Sequence, residues 1–255
     1  MQIEVRGSGP SLVMLHGWAM HGGIFAPLVE RLERHFTLHL VDLPGHGHSA
    51  DSAVALELTA VAQQLIARTP PALWLGWSLG GLIALHAAQR FPAAVRGLLM
   101  VCASPRFVRS EDWPQGVEDD VFAGFARELT DDYRGTIDRF LLLEAQGAER
   151  MREQIRLLRS QVFAHGEPSR QGLLDGLRLL RESDLRAALP GLSIPSLWLA
   201  GRRDRLVLPL AMQAAAGLCS NARFHCLEHA GHAPFLTDPE TVAREIIALA
   251  QAVPE

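Results

Sequence analysis

The chain contains no lysine: all 24 basic residues are arginine, set against 28 Asp and Glu, for a formal net charge of −4. An acidic balance of this kind excludes general attraction to nucleic acid, and each positive charge is a planar guanidinium rather than a titratable amine. Cysteine is scarce too. Cys102, Cys219 and Cys226 are odd in number and lack metal-site spacing, which excludes a disulfide framework and leaves reduced structural thiols. No apolar run reaches the roughly 18 residues that span a bilayer. Residues 1–7 show neither the charged start nor the small-residue cleavage site of a secretory leader. The expectation is a soluble, cytoplasmic, monomeric protein. With 255 residues, 48% hydrophobic, 22 Gly and 15 Pro, the chain can bury a sizeable core and carry one insertion.

Short runs rich in Val, Leu, Ile and Trp alternate with segments of helical spacing, the pattern of a parallel sheet covered on both faces. Strands are expected at 12–15, 36–41, 73–75, 95–101, 196–199 and 224–227, with a first strand at 2–5 pairing antiparallel at an edge. Helices are expected at 24–34, 56–68, 79–89 and 241–252. Between about 105 and 190 the strand-like runs stop and Leu, Phe, Arg and Glu recur at helical spacing. The expected organisation is an α/β core made of 1–104 and 190–255, interrupted by an all-helical lid at 105–189. Sheets of this class bind ligands at the carboxyl ends of their strands, so a site belongs between core and lid.

Gly76-Trp77-Ser78-Leu79-Gly80 follows one expected strand and opens an apolar helix, the context of a nucleophile elbow. The glycines give clearance to a serine held in a strained turn. A hydroxyl needs a base to become a nucleophile, and the base needs an acid to hold its tautomer. The order Ser, Asp, His is completed by Asp204 after the strand at 196–199 and His232 after the strand at 224–227. His229 is the rival base and Asp184 the rival acid, the latter more simply a helix cap. His225, His229 and His232 cluster, but without an H-E-x-x-H pattern or cysteine partners, so neither metal nor cofactor is expected. The backbone amides of Leu79 and Trp18 are the expected oxyanion donors, and the Trp18 ring a wall of the acyl channel. A phosphate-binding βα turn is disfavoured because no second phosphate fingerprint exists, and an elbow serine disfavours dehalogenases and epoxide hydrolases, which carry aspartate there.

Through these motifs the chain resembles the α/β-hydrolase superfamily over its full length. Residues 15–18, 36–49 and 74–81, with Asp112-Trp113-Pro114, Arg139-Phe140-Leu141 and His232-Ala233-Pro234-Phe235, resemble a narrower family. That family is the carboxylesterases of biotin synthesis that demethylate pimeloyl-[acyl-carrier protein] methyl ester. The resemblance implies a substrate with a methyl oxoester at one end and a thioester to a phosphopantetheine arm at the other. It further implies that Phe140, Leu141, Leu142, Leu143 and Glu144 line the acyl channel with Trp18, Ser78, Leu79 and His232.

An acidic carrier protein would dock on basic residues of the lid. Residues 151–160 hold Arg152, Arg156 and Arg159 against the single acid Glu153, and the family's docking arginines match Arg139, Arg152 and Arg156. The insertion as a whole has 13 Arg and 16 Asp plus Glu, so a solvated helix face is the alternative. One position departs from the family: Gly135 stands where it can carry a further arginine. Fold and triad alone leave open a general short-chain esterase, a thioesterase, a carbon–carbon bond hydrolase, or a receptor that binds without turnover.

Overall fold

The structure, a computed structural model, describes residues 1–253. Seven strands form one sheet: β1 (Ile3–Gly7), β2 (Ser11–Leu15), β3 (Thr37–Val41), β4 (Ala72–Trp77), β5 (Val95–Val101), β6 (Ser196–Gly201) and β7 (Ala222–Leu227). Their spatial order is β1-β3-β2-β4-β5-β6-β7; β1 pairs antiparallel with β3 at one edge, and the other pairings are parallel. Every residue of β4 and β6 is buried, as expected of central strands covered on both faces. From β2 the chain steps outward to β3, then crosses back so that β4 flanks the other side of β2. This reversal opens a crevice at the strand ends, where Leu15 of β2 lies beside Gly76 of β4.

The helices are α1 (Ala26–Leu32), α2 (Leu58–Ile66), α3 (Leu79–Arg90), α4 (Asp119–Asp131), α5 (Tyr133–Ala145), α6 (Met151–Val162), α7 (Arg170–Glu182), α8 (Pro209–Gly217), α9 (Pro234–Thr237) and α10 (Pro239–Ala252). The helix expected at 24–34 divides: Gly22–Phe25 is a 3-10 turn, and α1 restarts behind it with Pro27 in its first turn, where a missing N–H is no loss. Buried residues run around nearly the whole of α3, from Leu79 to Leu85 and on to Ala88, because this helix lies under both the sheet and the helices above it. No helix among the described residues is long and apolar enough to cross a membrane.

Between β5 and β6 the chain runs through α4 to α7, but the insertion is not all-helical as expected: before α4 a short irregular stretch is held by the bridges Val108–Val117 and Ser110–Trp113. Asp132 starts α5 by accepting the Gly135 N–H at 3.0 Å, and a Cβ at Gly135 would fall 2.0 Å from the Asp132 carboxyl. The glycine at this position therefore serves a tight N-terminal cap. At α7 the approach to the core is close: a Cβ on Gly45 would lie 2.5 Å from the Gly172 Cα. Two glycines facing each other let helix and loop touch backbone to backbone.

Candidate active site

Ser78 has φ 52° and ψ −117°, a conformation that non-glycine residues rarely adopt, between the end of β4 and the start of α3. Strain of this kind costs about 1–3 kcal/mol and persists only where the surroundings enforce it. They do so through glycines. A Cβ on Gly76 would sit 2.4 Å from the Gly80 carbonyl oxygen, and one on Gly80 would sit 2.3 Å from the Leu15 oxygen. The turn can be this sharp, and this close to β2, with no side chain at either position.

His232 lies in the loop after β7 and Asp204 in the loop after β6. His232 Nδ1 is 2.8 Å from Asp204 Oδ2, and both side chains are fully buried. The other oxygen, Oδ1, accepts the N–H groups of Leu206 and Val207, each at 2.9 Å. The carboxylate is thereby held in one orientation, and with its charge it fixes the tautomer with the proton on Nδ1 and Nε2 turned forward. Burial alone would depress the His232 pKa, but the Asp204 charge and hydrogen bond, with a smaller contribution from Glu144, leave it raised. From the other side the Trp77 indole donates to the His232 carbonyl oxygen at 2.7 Å and packs edge-on against Phe235. That bond ties the elbow to the loop carrying the imidazole. The motif displayed Trp77, but nothing in sequence spacing announced its partner.

Ser78 Oγ and His232 Nε2 are both buried, and neither has a hydrogen-bond partner among the described residues. The Asp–His half of the expected relay is formed and the Ser–His bond is not; such bonds commonly tighten only when substrate is present. A third group faces the same space. Glu144 of α5 places Oε1 3.9 Å from His232 Nε2, fully buried, and neither carboxyl oxygen has a partner. Burial pushes its pKa up to about 8; His232 opposes the rise and Asp204 adds to it.

Trp18 follows Gly17, where a Cβ would come within 3.3 Å of the Ser78 Cβ, so this loop passes directly against the serine. Leu79 opens α3, and its N–H belongs to the first turn, whose amides have no intrahelical acceptor. The Trp18 indole donates to the Leu173 carbonyl of α7 at 2.8 Å, and its ring lies 4.4 Å from that of Phe140. Of the five residues expected along the acyl channel, Phe140, Leu141 and Glu144 are buried and Leu143 is half-buried, whereas Leu142 is 40% exposed. Consecutive helical residues point about 100° apart, so five in a row cannot share one wall.

The rivals lie elsewhere. His229 has a side chain 79% exposed, and Asp184 is paired with Arg186 and Arg106, which hold its pKa down to about 2. His21, Asp42 and His165 bring potential metal-ligand atoms within 4.8 Å. However, both His21 ring nitrogens are already engaged, Nδ1 accepting the Gly23 N–H and Nε2 bonded to the Gln161 carbonyl, and both Asp42 oxygens accept backbone N–H groups. Among the lid arginines, Arg139 is engaged by Glu128 and Asp132, and Arg159 by Asp138. Arg152 and Arg156 on α6 are exposed and in no ion pair among the described residues. Beside α6 runs a cavity of about 520 Å³ whose lining includes the carboxylates of Glu149, Glu153, Glu228 and Asp238 and one arginine, Arg150. It includes neither Ser78 nor His232.

Residues 10–239 match the model of the alpha/beta hydrolase fold family. The pimeloyl-[acyl-carrier protein] methyl ester esterase of Stenotrophomonas maltophilia (strain R551-3) is 57% identical over 95% of this chain and 93% of its own length. The protein of the same name from Xanthomonas oryzae pv. oryzae is 53% identical with both chains fully covered. In three dimensions, an esterase from Exiguobacterium antarcticum superposes with a TM-score of 0.86 at 25% identity, over 98% of this chain and 94% of that one. The chain belongs to the α/β-hydrolase fold family, and within it to the family of these two methyl ester esterases.

Proposed function

We propose that this chain is a serine carboxylesterase that hydrolyses pimeloyl-[acyl-carrier protein] methyl ester to the free carboxylate and methanol, the demethylation the sequence resemblance associates with biotin synthesis. Ser78 attacks the ester carbonyl, His232 takes its proton, and Asp204 holds the imidazole and stabilises its charged form. The N–H groups of Leu79 and Trp18 receive the oxyanion. His232 then protonates the departing methoxide, and water releases the acyl group from Ser78 by the same steps in reverse. No cofactor enters this scheme.

The observation that carries the reading is the 2.8 Å bond from His232 Nδ1 to a fully saturated Asp204, set behind a serine with positive φ. The substrate comes from the relatives, whose names specify the methyl ester of a carrier-bound acyl group. Carrier proteins of this kind are acidic, which favours the free guanidinium groups of Arg152 and Arg156 as their docking point, with Arg139 and Arg159 available by exchange of partners. The neighbouring cavity, rimmed by four carboxylates, would repel such a partner. The test is mass spectrometry of purified protein with pimeloyl-carrier methyl ester. Loss of one methylene mass with the thioester intact is expected; loss of the acyl group from the carrier, or no change, overturns the proposal.

A further inference from the structure

Four polar atoms meet the interior of this site with no partner among the described residues: Ser78 Oγ, His232 Nε2, and Oε1 and Oε2 of Glu144. The first two have work in the hydrolysis proposed above, and Glu144 has none. A carboxyl group stripped of water and of every hydrogen bond is costly, and α5 nevertheless delivers it 3.9 Å from the nitrogen that must reach the serine. The titratable groups acting on it are His232 from the loop after β7 and Asp204 from the loop after β6. Behind Asp204 the Cys102 thiol is kept protonated, by burial first and by the Asp204 charge second. No lysine or arginine is among the groups acting on Glu144. Among the described groups acting on Glu144, positive charge comes from His232 when it carries a second proton.

We propose that Glu144 is a product-binding residue that, as a neutral carboxylic acid, donates a hydrogen bond to a carboxylate seated at Ser78, and that its ionisation expels that carboxylate. The inference rests on the serine hydrolysis reading, because that reaction turns a neutral ester into an anion at this spot. An ester enters without charge. The product carries a negative charge next to His232 Nε2 and therefore within reach of Glu144. A neutral acid beside a carboxylate shares one proton with it, whereas two ionised carboxylates at this separation repel each other strongly in a dry enclosure. The pKa of about 8 places the change between these states just above neutrality. Below it the product is retained; above it the product is driven out.

Direct binding of hexanoate, a short carboxylate resembling the acyl end of the product, tests this by calorimetry on the wild-type protein and on Glu144→Gln. The amide keeps a donor of the same size but cannot ionise; His232 titrates in both proteins, and because an ionised Glu144 raises the His232 pKa and so favours a bound anion, that coupling works against the expected change and cannot produce it. The wild-type Kd divided by the Glu144→Gln Kd should rise at least about tenfold between about pH 6.5 and about pH 9.5. A second variant, Glu144→Leu, has no donor and should bind hexanoate about tenfold more weakly than wild type at about pH 6.5. A ratio that stays flat with pH, or a leucine variant that binds as tightly as wild type, overturns the proposal. Turnover is not needed for the measurement. A protein that fails to demethylate the carrier ester yet shows the rising ratio loses the esterase reading and keeps this one, and a competent esterase with a flat ratio does the reverse.

Discussion

The buried carboxyl of Glu144 should be visible in the pH dependence of folding stability. With a folded pKa of about 8 against an ordinary value of 4.5, the native protein holds a proton that the unfolded chain has already lost across that interval. Stability therefore falls as pH rises from the lower value to the higher, and the loss is complete above the folded pKa. In Glu144→Gln this penalty is absent. The unfolding free energy of the variant minus that of wild type should be about 1 kcal/mol larger at pH 5 than at strongly acid pH, and about 4 kcal/mol larger at pH 7.5, where 1.36 kcal/mol applies per pH unit. A buried amide adds a constant offset through its own unsatisfied groups, so the slope is the diagnostic quantity and the absolute difference is not. Urea titrations at intervals from pH 5 to pH 8, followed by tryptophan fluorescence, give both curves. Parallel curves would refute the reasoning, because they would mean that Glu144 ionises in the folded protein as it does in the unfolded one.

Three further perturbations address the remaining parts of the site. Trp77→Phe removes the indole donor and leaves the His232 carbonyl unpaired in a buried place, which should cost about 1–3 kcal/mol in denaturant titration. The same change should lower kcat about tenfold on a p-nitrophenyl ester with KM little altered, since it displaces the base rather than the substrate; an unchanged kcat would remove Trp77 from any positioning role. Asp204→Asn should reduce kcat/KM by about 10⁴-fold by admitting the wrong tautomer. The acid limb of the wild-type pH profile should lie above the ordinary imidazole value of 6.5, because activity appears as His232 loses its proton and its pKa is raised; in Asp204→Asn the limb should move down. Arg152→Glu with Arg156→Glu should slow turnover of the carrier-linked ester far more than that of a small ester, and should flatten its salt dependence. Equal loss on both substrates would argue for damage to the lid instead.

Much of the fold was legible because its signals are local. Strands buried on both faces read as apolar runs, and β4 and β6, with no exposed residue, contain the runs at 73–75 and 196–199. The elbow was legible for the same reason, since five consecutive residues carry it. Asp204 and His232 could be found only through their order after strands, and the choice of His232 over His229 turned on three residues of loop. What escaped the sequence is contact between segments far apart in the chain. Trp77 reaches His232 across 155 positions, and Arg159 is occupied by Asp138 from the neighbouring helix, so one of the three arginines in a stretch that reads as open is already paired in space. The 3-10 turn before α1 was hidden because apolar spacing registers that a segment is helical but not how tightly it winds. Glu144 had been placed in a channel wall by resemblance; its lack of any partner follows from how α5 is seated on the core, which no spacing rule contains.

Trp18 belongs to two parts of the molecule at once. Its backbone sits in the loop that passes the serine, while its indole is fastened to a carbonyl of α7 and its ring rests against α5. In the mechanism proposed above that peptide unit supplies an oxyanion donor, so a change in how α5 or α7 is seated would be felt where charge develops. One residue thus ties the seating of the lid helices to the loop beside the nucleophile.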